Sequence, residues 1–391
     1  MHGLLSGLDR KNCWTIAEHR GDANPDALQH LLSRARWDQD AVRDDLRGYV
    51  LEAFNDPAGI LVVDETGDLK KGTSTVGVQR QYTGTAGRIE NAQVAVYLTY
   101  AAGRGHALID RALYLPRSWV EDPARCAAAG VPADVEFATK PALALRMIGA
   151  ALDAGVGASW VTGDEVYGND PALRAGLQNR RIGYVMAVSC DHRIPTNCGP
   201  VRADSIARGL PPVSWQRLSA GAGSKGQRWY SWAYLSLPSD EAGEQWILMR
   251  RNDSTGELAF YRCYSPKTVP LGELVRVAGR RWTVEESFQT AKGQAGLDQH
   301  QVRTWTSWHR WVTLSMLAMA FLAVVTADEH DRTPAPAGLI PFTLNEIRRL
   351  FDALTTAPAT TAEHVLNWSD WRRKHQAIAR ESHYRRRSDH L

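Results

Sequence analysis

Cysteine is scarce in this sequence, and no two cysteines have the spacing of a metal-binding motif. The five cysteines are odd in number and include no Cys-x-x-Cys pair. This pattern is typical of a reducing compartment, and it argues against a disulfide framework and against a structural zinc site. The N-terminus also lacks the pattern of a secretory signal peptide. We therefore expect a cytoplasmic protein.

The sequence has no hydrophobic run long enough to cross a membrane. Its most apolar stretch, WVTLSMLAMAFLAVVTA from Trp311 to Ala327, is uncharged. It is shorter than the roughly 20 residues that a membrane span requires. We predict that this stretch is a buried core helix and that the protein has no membrane partner.

A large excess of charge is also absent, since the formal net charge is only +3. The total therefore gives no argument for nucleic-acid binding, but the distribution does. Near the C-terminus a single acid, Glu381, stands among Arg372, Arg373, Lys374, Arg380, Arg385, Arg386 and Arg387. Such a patch suits a phosphate backbone. A solvated basic tail is an equally open interpretation.

What the sequence does contain is a change of periodicity along its 391 residues, a length that suggests two or three folding units. Residues 1–55 have helical spacing of apolar residues. Residues 56–189 have the order strand, strand, strand, helix, strand, helix, strand. Residues 190–270 have the pattern of antiparallel strands. Residues 271–330 are helical again, and residues 331–391 form a helical basic region after the linker-like TPAPAG.

Two of the predicted strands end in an aspartate. The apolar run GILVV precedes Asp64, and the run ASWVTG precedes Asp164. A single aspartate after a strand is common as a turn residue. Two such aspartates in one sheet, with a glutamate on a later helix, favour a catalytic cluster.

The later helix contains the segment RWTVEESFQTAKG. At about 100° per residue, Glu285 lies roughly 40° and Lys292 roughly 20° from Arg281 around the helix axis. Glu286 lies near 140°, off that face, by the same geometry. The helix therefore selects Glu285 as the partner of Arg281 and Lys292. A surface ion-pair stripe is the alternative, because such pairs are common and weak.

Three carboxylates that converge on one point need a cation to remain ionised together. Oxygen ligands suit Mg²⁺ or Mn²⁺, and two such ions can hold the attacking and leaving oxygens of a phosphodiester. We therefore predict that Asp64, Asp164 and Glu285 bind two Mg²⁺ or Mn²⁺ ions and catalyse cleavage and joining of nucleic acid. Arg281 and Lys292 would bind phosphates beside them.

The sequence resembles bacterial insertion-sequence transposases of the DDE superfamily, in particular the insertion-sequence family numbered 701. The similar segments are LLSGLDRKN, VVDETGDLKKGTSTVGVQRQYTGTAGRIENAQVAVYL, ALYLPRSW, FATKPALALRM, WVTGDEVYGND and RWTVEESFQTAKGQAGLDQHQVRTWTSWHRW. The resemblance implies an α/β fold with a ribonuclease-H-like mixed sheet core. It also implies a mostly-β insertion and flanking N- and C-terminal helical regions.

The resemblance implies a DDE triad at Asp64, Asp164 and Glu285. Arg281, Glu285 and Lys292 also keep the spacing of a Tyr-Arg-Glu-Lys signature found in related transposases, although Ala278 stands at the Tyr position. In that group a β insertion, expected here in residues 190–270, helps to hold a DNA hairpin. The candidates for stacking on a flipped base are Trp229, Trp232 and Trp282. Core packing is the alternative role for each of them.

The loop after Asp64 is rich in Gly, Thr and basic residues. Its Lys70, Lys71, Arg80 and Arg88 are candidate contacts to DNA phosphates. A hairpin loop with solvated charges is the alternative interpretation.

The leading hypothesis is a metal-dependent DNA transposase that acts as a homodimer on double-stranded DNA in the bacterial nucleoid. Its partners would be the terminal inverted repeats of a transposon and target DNA. The first alternative is a DNA-binding regulator or a domesticated relative without transposition activity. A phosphatase is a weaker alternative, because VVDET has Thr66 where an aspartyl-phosphate motif has a second aspartate.

Overall fold

The computed structural model describes residues 1–223, 226–238, 243–332, 339–355 and 361–388. The chain forms two compact units. The larger unit is Asp40–Thr290, and the smaller unit combines Met1–Gln39 with Ala291–Leu391.

Helices occupy most of the first 54 residues, as predicted from their apolar spacing. They are α1 (His2–Leu5), α2 (Cys13–His19), α3 (Asp26–Ser33) and α4 (Gln39–Phe54). The start of α2 is fixed by a reciprocal cap. The side chain of Asn12 accepts from the backbone N–H of Thr15, and the Thr15 hydroxyl accepts from the backbone N–H of Asn12. This arrangement satisfies two N–H groups that a helix start leaves without partners.

The larger unit begins its sheet with four strands. They are β1 (Ile60–Leu69), β2 (Gln79–Thr83), β3 (Arg88–Ala101) and β4 (His106–Leu113). β3 is antiparallel to β1 on one edge, and it pairs with β2 and then β4 on the other. The buried Asp110 of β4 pairs with Arg43 of α4 at 3.0 Å and with Arg47 at 3.3 Å. These ion pairs hold α4 against the sheet.

The remaining predicted helices and strands follow in their predicted order, but three short helices among them were not predicted, and neither was β2. The elements are α5 (Arg117–Val120), α6 (Pro123–Ala128), α7 (Lys140–Asp153), β5 (Trp160–Gly163), α8 (Glu165–Gly168), α9 (Pro171–Asn179) and β6 (Gly183–Val188). β5 lies between β1 and β6 and is parallel to both. Parallel neighbours need a crossover connection, and the segments containing α7 and α9 provide it.

Residues 190–270 add more elements than the three strands expected from the sequence. They are β7 (Arg193–Ile194), β8 (Val201–Arg202), α10 (Ala203–Gly209), a 3₁₀ turn (Pro212–Ser214), β9 (Gln216–Gly223), β10 (Gly226–Ser236), β11 (Glu244–Arg251) and β12 (Leu258–Ser265). β9 was not predicted, because its sequence QRLSAGAG lacks a sustained apolar alternation. It is nevertheless paired along β10.

The strands from this region extend the core sheet through the pairing of β12 with β6. The order of the ten-stranded sheet is β2-β3-β1-β5-β6-β12-β11-β10-β9, with β4 on β3. Antiparallel strands β4, β3 and β1 followed by the parallel β5 and β6 form the ribonuclease-H-like core. The predicted α/β class, with a β-rich addition and helices at both ends, is therefore confirmed.

The larger unit ends with α11 (Leu271–Arg280) and most of α12 (Trp282–Ala295). α11 packs closely on β9 at Gly279, where a Cβ atom would lie 2.0 Å from the carbonyl oxygen of Ala220. Arg228 of β10 donates to the carbonyl oxygens of Gly279 and Ala220 at 3.0 and 2.8 Å. These contacts place the junction of α11 and α12 beside β9 and β10.

The smaller unit is built around α13 (Trp305–Arg332), followed by α14 (Leu344–Thr355) and α15 (Ala362–Ser388). α13 packs against α1, α3 and α14. Within the described residues, it alone has the length and hydropathy of a membrane span, but 72% of its most apolar window is buried inside the protein. This burial confirms the predicted core helix. The linker predicted at TPAPAG lies outside the described residues.

Candidate active site

Asp64 and Asp164 stand side by side on neighbouring parallel strands. The register of β1 and β5 pairs Ile60 with Trp160 and continues to Val63 with Gly163. Asp64 is the next residue of β1 and Asp164 is the residue that follows β5, and adjacent strands lie about 4.8 Å apart. The sheet therefore brings together two carboxyl groups that are far apart in sequence.

The strand around Asp64 is longer than its apolar run predicts. β1 continues to Leu69 because its antiparallel partner β3 extends beyond the short parallel partner β5. Asp64 therefore lies inside β1, at the point where pairing with β5 ends. Asp164, by contrast, follows β5 and caps α8 by accepting a hydrogen bond from the N–H of Val166 at 2.9 Å.

The pKa values of both aspartates are raised by burial and by nearby negative charges. Burial, followed by the charges of Asp164 and Glu65, raises the pKa of Asp64 from 3.8 to about 8. Burial and the charge of Glu65 also raise the pKa of Asp164. Perturbed carboxyl groups in a cleft are typical of functional sites.

Arg281 links the first aspartate to the predicted glutamate. Its guanidinium lies 3.7 Å from the carboxylate of Asp64 and 2.9 Å from that of Glu285. Arg281 caps the C-terminal end of α11, whereas Glu285 lies in α12, which begins at Trp282. Arg281 and Glu285 therefore do not share a single helix. The backbone of Arg281 remains helical, with φ −52° and ψ −35°, which preserves the predicted spacing to Glu285.

Glu286 faces a different part of the larger unit. Its carboxylate lies 3.5 Å from Nε2 of His106, and Nδ1 of the same His106 lies 2.9 Å from the hydroxyl of Ser287. The hydrogen bond from His106 lowers the pKa of Glu286. The predicted pairing of Glu285 with Arg281 is thus observed, whereas the choice of Glu285 over Glu286 as the catalytic residue stays a prediction.

Glu65 is a carboxylate beside the aspartates that the sequence did not single out. Its two oxygens lie 2.6 Å from Nζ of Lys140 and 2.6 Å from the hydroxyl of Tyr167. Its backbone N–H donates to the carboxylate of Asp64 at 2.8 Å. The only feature of the sequence that could have indicated a role for Glu65 is its position next to Asp64, because its partners Lys140 and Tyr167 are distant along the chain.

A cleft of about 880 Å³ opens beside Asp164. Its lining combines cationic and aromatic side chains with the second aspartate, namely Asp164, Arg228, Tyr230, Arg250, Arg281 and Trp282. The guanidinium of Arg250 lies over the ring of Tyr230, 4.7 Å from its centroid. Ala278 also lines the cleft, and its small side chain leaves space there. The sequence did not identify Arg228, Tyr230 or Arg250, because their partners come from separate strands.

Comparison with known families decides the class of the chain. Residues 1–237 match a family model described as DDE superfamily endonuclease, which is more than half of the 391 residues. The chain belongs to this family. The resemblance inferred from the sequence motifs is thereby confirmed at the level of the superfamily. The matched segment contains Asp64 and Asp164, whereas Glu285 lies beyond it.

The proteins similar to this DDE endonuclease chain include a curated relative and a solved structure. The probable transposase for insertion sequence element IS701 of Microchaete diplosiphon is 29% identical over 195 residues. That alignment covers 49% of this chain and 48% of the relative, so the chain spans about half the length of the curated relative that it matches. A cryo-EM structure of the piggyBac transposase synaptic complex with hairpin DNA covers 88% of this chain and 67% of its own, with 10% identity and a TM-score of 0.49.

DDE superfamily nucleases generally use divalent metal ions, and the aspartate pair of this chain fits such an ion. Asp64 and Asp164 offer the oxygen donors that Mg²⁺ and Mn²⁺ prefer. A bound cation would offset the burial and the repulsion that raise their pKa values. No three His, Cys, Asp or Glu side chains in the described part of the chain are grouped as a metal site. Glu285 is engaged by Arg281 at 2.9 Å, so its role as a ligand stays a prediction.

The three candidate stacking tryptophans have different surroundings. Trp229 and Trp282 are exposed, at 50% and 47% of their surface, whereas Trp232 is only 1% exposed. The indole of Trp232 donates to the carbonyl oxygen of Leu218, and its ring lies against those of Tyr230 and Tyr261. The proposal that Trp232 stacks on a base is therefore wrong for this conformation, because packing within the sheet covers the ring.

The basic residues after Asp64 are not all in a loop. Arg80 lies within β2, and Arg88 begins β3, where it pairs with Glu90 at 2.9 Å. Lys71 and Arg80 are exposed, and Lys70 is half-buried. Their contact with DNA stays a prediction.

The remaining predicted DNA contacts lie in the smaller unit. Lys292 is half-buried in the last turn of α12. On α15, Arg372 pairs with Glu18 at 2.6 Å, Arg373 pairs with Asp370, and Lys374 is exposed. α15 is anchored within this unit by Trp368, which donates to the carbonyl oxygen of Asp22 at 2.8 Å.

Proposed function

We propose that this DDE endonuclease is an insertion-sequence transposase that cleaves and joins DNA at the ends of its element. The observation that carries the proposal is the pairing of Asp64 with Asp164, the second of which lines the basic and aromatic cleft. The relative described as a probable transposase supports the same assignment, within the half of its length that is matched.

Each group of the site has a role in this proposal. Asp64 and Asp164 would hold Mg²⁺ or Mn²⁺, with Glu285 completing the site for a second ion after Arg281 releases it to bind a phosphate. The bound ions would activate a water or a DNA 3′-hydroxyl and stabilise the leaving oxygen. Arg281 is suited to exchange one anionic partner for another, because its planar guanidinium binds carboxylates and phosphates alike.

The cleft supplies the surface for the DNA strand. Arg228 and Arg250 would bind the backbone, while Tyr230 and Trp282 would stack on unpaired bases, which is a sequence-tolerant contact. A hairpin intermediate, which exposes unpaired bases at its tip, fits such a surface. Binding of two element ends by a homodimer completes the proposal.

The test is strand cleavage of linear DNA that carries both ends of the element, with Mg²⁺ or Mn²⁺. We expect cleavage by the wild-type chain, loss of cleavage by Asp164→Ala, and unchanged cleavage by Asp153→Ala, which removes an exposed carboxylate outside the site. Denaturing gels of the products would reveal hairpins. DNA binding without cleavage by the wild-type chain would instead support a regulator without transposition activity.

A further inference from the structure

Glu65 is bonded to Asp64 and to the short helix that Asp164 caps. Its backbone N–H donates to Oδ1 of Asp64 at 2.8 Å. Its side chain accepts a hydrogen bond from the hydroxyl of Tyr167 at 2.6 Å. Tyr167 belongs to α8, the turn that Asp164 caps. One residue of β1 is therefore bonded to the first aspartate and to the short helix that presents the second.

The position of α8 is constrained from a second side. A Cβ atom on Gly168 would lie 1.7 Å from the carbonyl oxygen of Ala187 in β6, so only glycine allows this approach. Tyr167 is fully buried, which leaves it little freedom to rotate away from Glu65. The turn is thus held between β6 and Glu65, and Asp164 has its place at the start of that turn.

Lys140 fixes the carboxylate that holds Tyr167. Its Nζ lies 2.6 Å from the other oxygen of Glu65, and Lys140 begins α7 after the Thr139 cap. Both oxygens of Glu65 are therefore occupied by partners from different helices. A carboxylate held at both oxygens has a defined orientation.

We propose that Glu65 is a positioning residue that uses Lys140 and Tyr167 to set the separation of Asp64 and Asp164 for divalent-metal binding. The inference rests on the proposed metal-dependent function. Residues that orient metal ligands affect metal affinity strongly, and their substitution typically weakens affinity or activity by about 10- to 100-fold.

The informative variant is Tyr167→Phe, because it removes one hydroxyl and leaves every formal charge of the site in place. Its matched control is Tyr100→Phe. The hydroxyl of Tyr100 is bonded to Asp56 and Gly157 near the opposite end of β1, so the control removes the same chemical group away from the aspartates.

The measurement is the dissociation constant for Mn²⁺, read from the EPR signal of the free ion as metal is titrated into the full chain. We expect Tyr167→Phe to bind Mn²⁺ about 10-fold or more weakly than the wild-type chain. We expect Tyr100→Phe to bind Mn²⁺ as the wild-type chain does, although its melting temperature falls. A purely structural role for Tyr167 would lower stability in both variants and change metal binding in neither.

Glu65→Gln provides a second variant in case Tyr167→Phe folds poorly. Glutamine keeps the shape of Glu65, but its amide cannot accept hydrogen bonds from Lys140 and Tyr167 at both ends. We expect the same weakening of Mn²⁺ binding in this variant. Wild-type affinity in folded Glu65→Gln or Tyr167→Phe would overturn the positioning role.

Failure of the proposed function has a different signature. If the wild-type chain bound no Mn²⁺, or bound it equally well after Asp64→Asn, the aspartate pair would not be a metal site. Both proposals would then be rejected together. If Asp64→Asn alone removed binding while the Glu65 and Tyr167 variants retained it, only the positioning inference would fail.

Discussion

At the scale of single residues, the site is governed by like charges held in a poorly solvated position. Burial and then the charges of Asp164 and Glu65 raise the pKa of Asp64, and burial and then the charge of Glu65 raise the pKa of Asp164. Arg281 offsets part of that repulsion from the start of α12. Two consequences at this scale can be measured.

The first residue-scale prediction concerns the pH dependence of stability without metal. Because the pKa of Asp64 is raised from 3.8 to about 8, the folded state binds its proton more tightly than the unfolded state does. Stability from this group is therefore complete below about pH 4 and is lost as the pH rises towards 8. In metal-free buffer at pH 9, Asp64→Asn should melt at least about 3 °C above the wild-type chain.

Thermal melts at pH 4 and pH 9 in EDTA check this expectation. The difference between the two proteins should be small at pH 4, where the carboxyl group is protonated in the folded state and about half protonated in the unfolded state. Adding Mg²⁺ at pH 9 should stabilise the wild-type chain but not Asp64→Asn. A difference that is the same at both pH values would show that Asp64 does not have a raised pKa.

The second residue-scale prediction separates the adjacent glutamates of α12. Glu285 faces Arg281 and the site, whereas Glu286 faces His106. Glu285→Ala should reduce metal-dependent DNA cleavage by at least about 100-fold, while Glu286→Ala should reduce it by less than about 10-fold. Single-turnover cleavage assays measure both. Equal losses would contradict the division of the two helix faces.

At the scale of elements, the site depends on close contacts between secondary structures that meet across the sheet. α11 approaches β9 so closely at Gly279 that no side chain fits between the helix and the carbonyl oxygen of Ala220. Arg228 then bonds to both backbones. This contact sets where α12 begins, and with it the position of Arg281 beside Asp64.

The element-scale prediction compares two glycines of the same helix. Gly279→Ala should destabilise the protein by about 1–3 kcal/mol, because the methyl group must push α11 away from β9. Gly272→Ala is the control, since no atom lies within 4 Å of a Cβ at that position. It should be neutral or stabilising by up to about 1 kcal/mol. Urea unfolding of both variants measures the difference, and equal stabilities would rule out the close contact.

At the scale of the whole molecule, the acidic site and the basic C-terminal helix belong to different units. The larger unit holds the aspartates and the cleft, whereas the basic helix α15 belongs to the smaller unit. α15 is anchored by Trp368 and by Trp371, which meets the ring of Trp14 at 4.6 Å. Its exposed cations therefore lie on an anchored helix, and their contact with a phosphate backbone stays a prediction.

The prediction at this scale concerns the salt dependence of DNA binding. Changing Arg373 and Lys374 to Gln should weaken binding and reduce the slope of log K against log salt by up to about 2, because each cation that neutralises a phosphate adds about one unit to the slope. Arg332→Gln, an exposed cation on α13 in the same unit, should leave the slope unchanged. Fluorescence anisotropy across a salt series measures the slope, and an unaltered slope in the double variant would leave α15 as a solvated basic end.

The sequence by itself determined the features that depend on neighbours along the chain. Apolar runs bounded by turn residues specified the strand that contains Asp64 and the strand before Asp164, because backbone pairing and burial are encoded in local periodicity. The spacing of Arg281 and Glu285 specified their ion pair for the same reason, since helical geometry is fixed by residue number. The buried helix around Trp311–Ala327 likewise followed from composition.

Only the tertiary structure decided the features that depend on partners from distant segments. The side chain of Glu65 reaches Lys140 and Tyr167, Trp232 is covered by its sheet neighbours, and β9 is held as a strand by β10 and α11. The cleft at Ala278 likewise exists because β10, β11, α8 and α11 meet there. No local sequence pattern specifies these contacts, because they depend on packing between helices and strands that can lie any distance apart in the sequence.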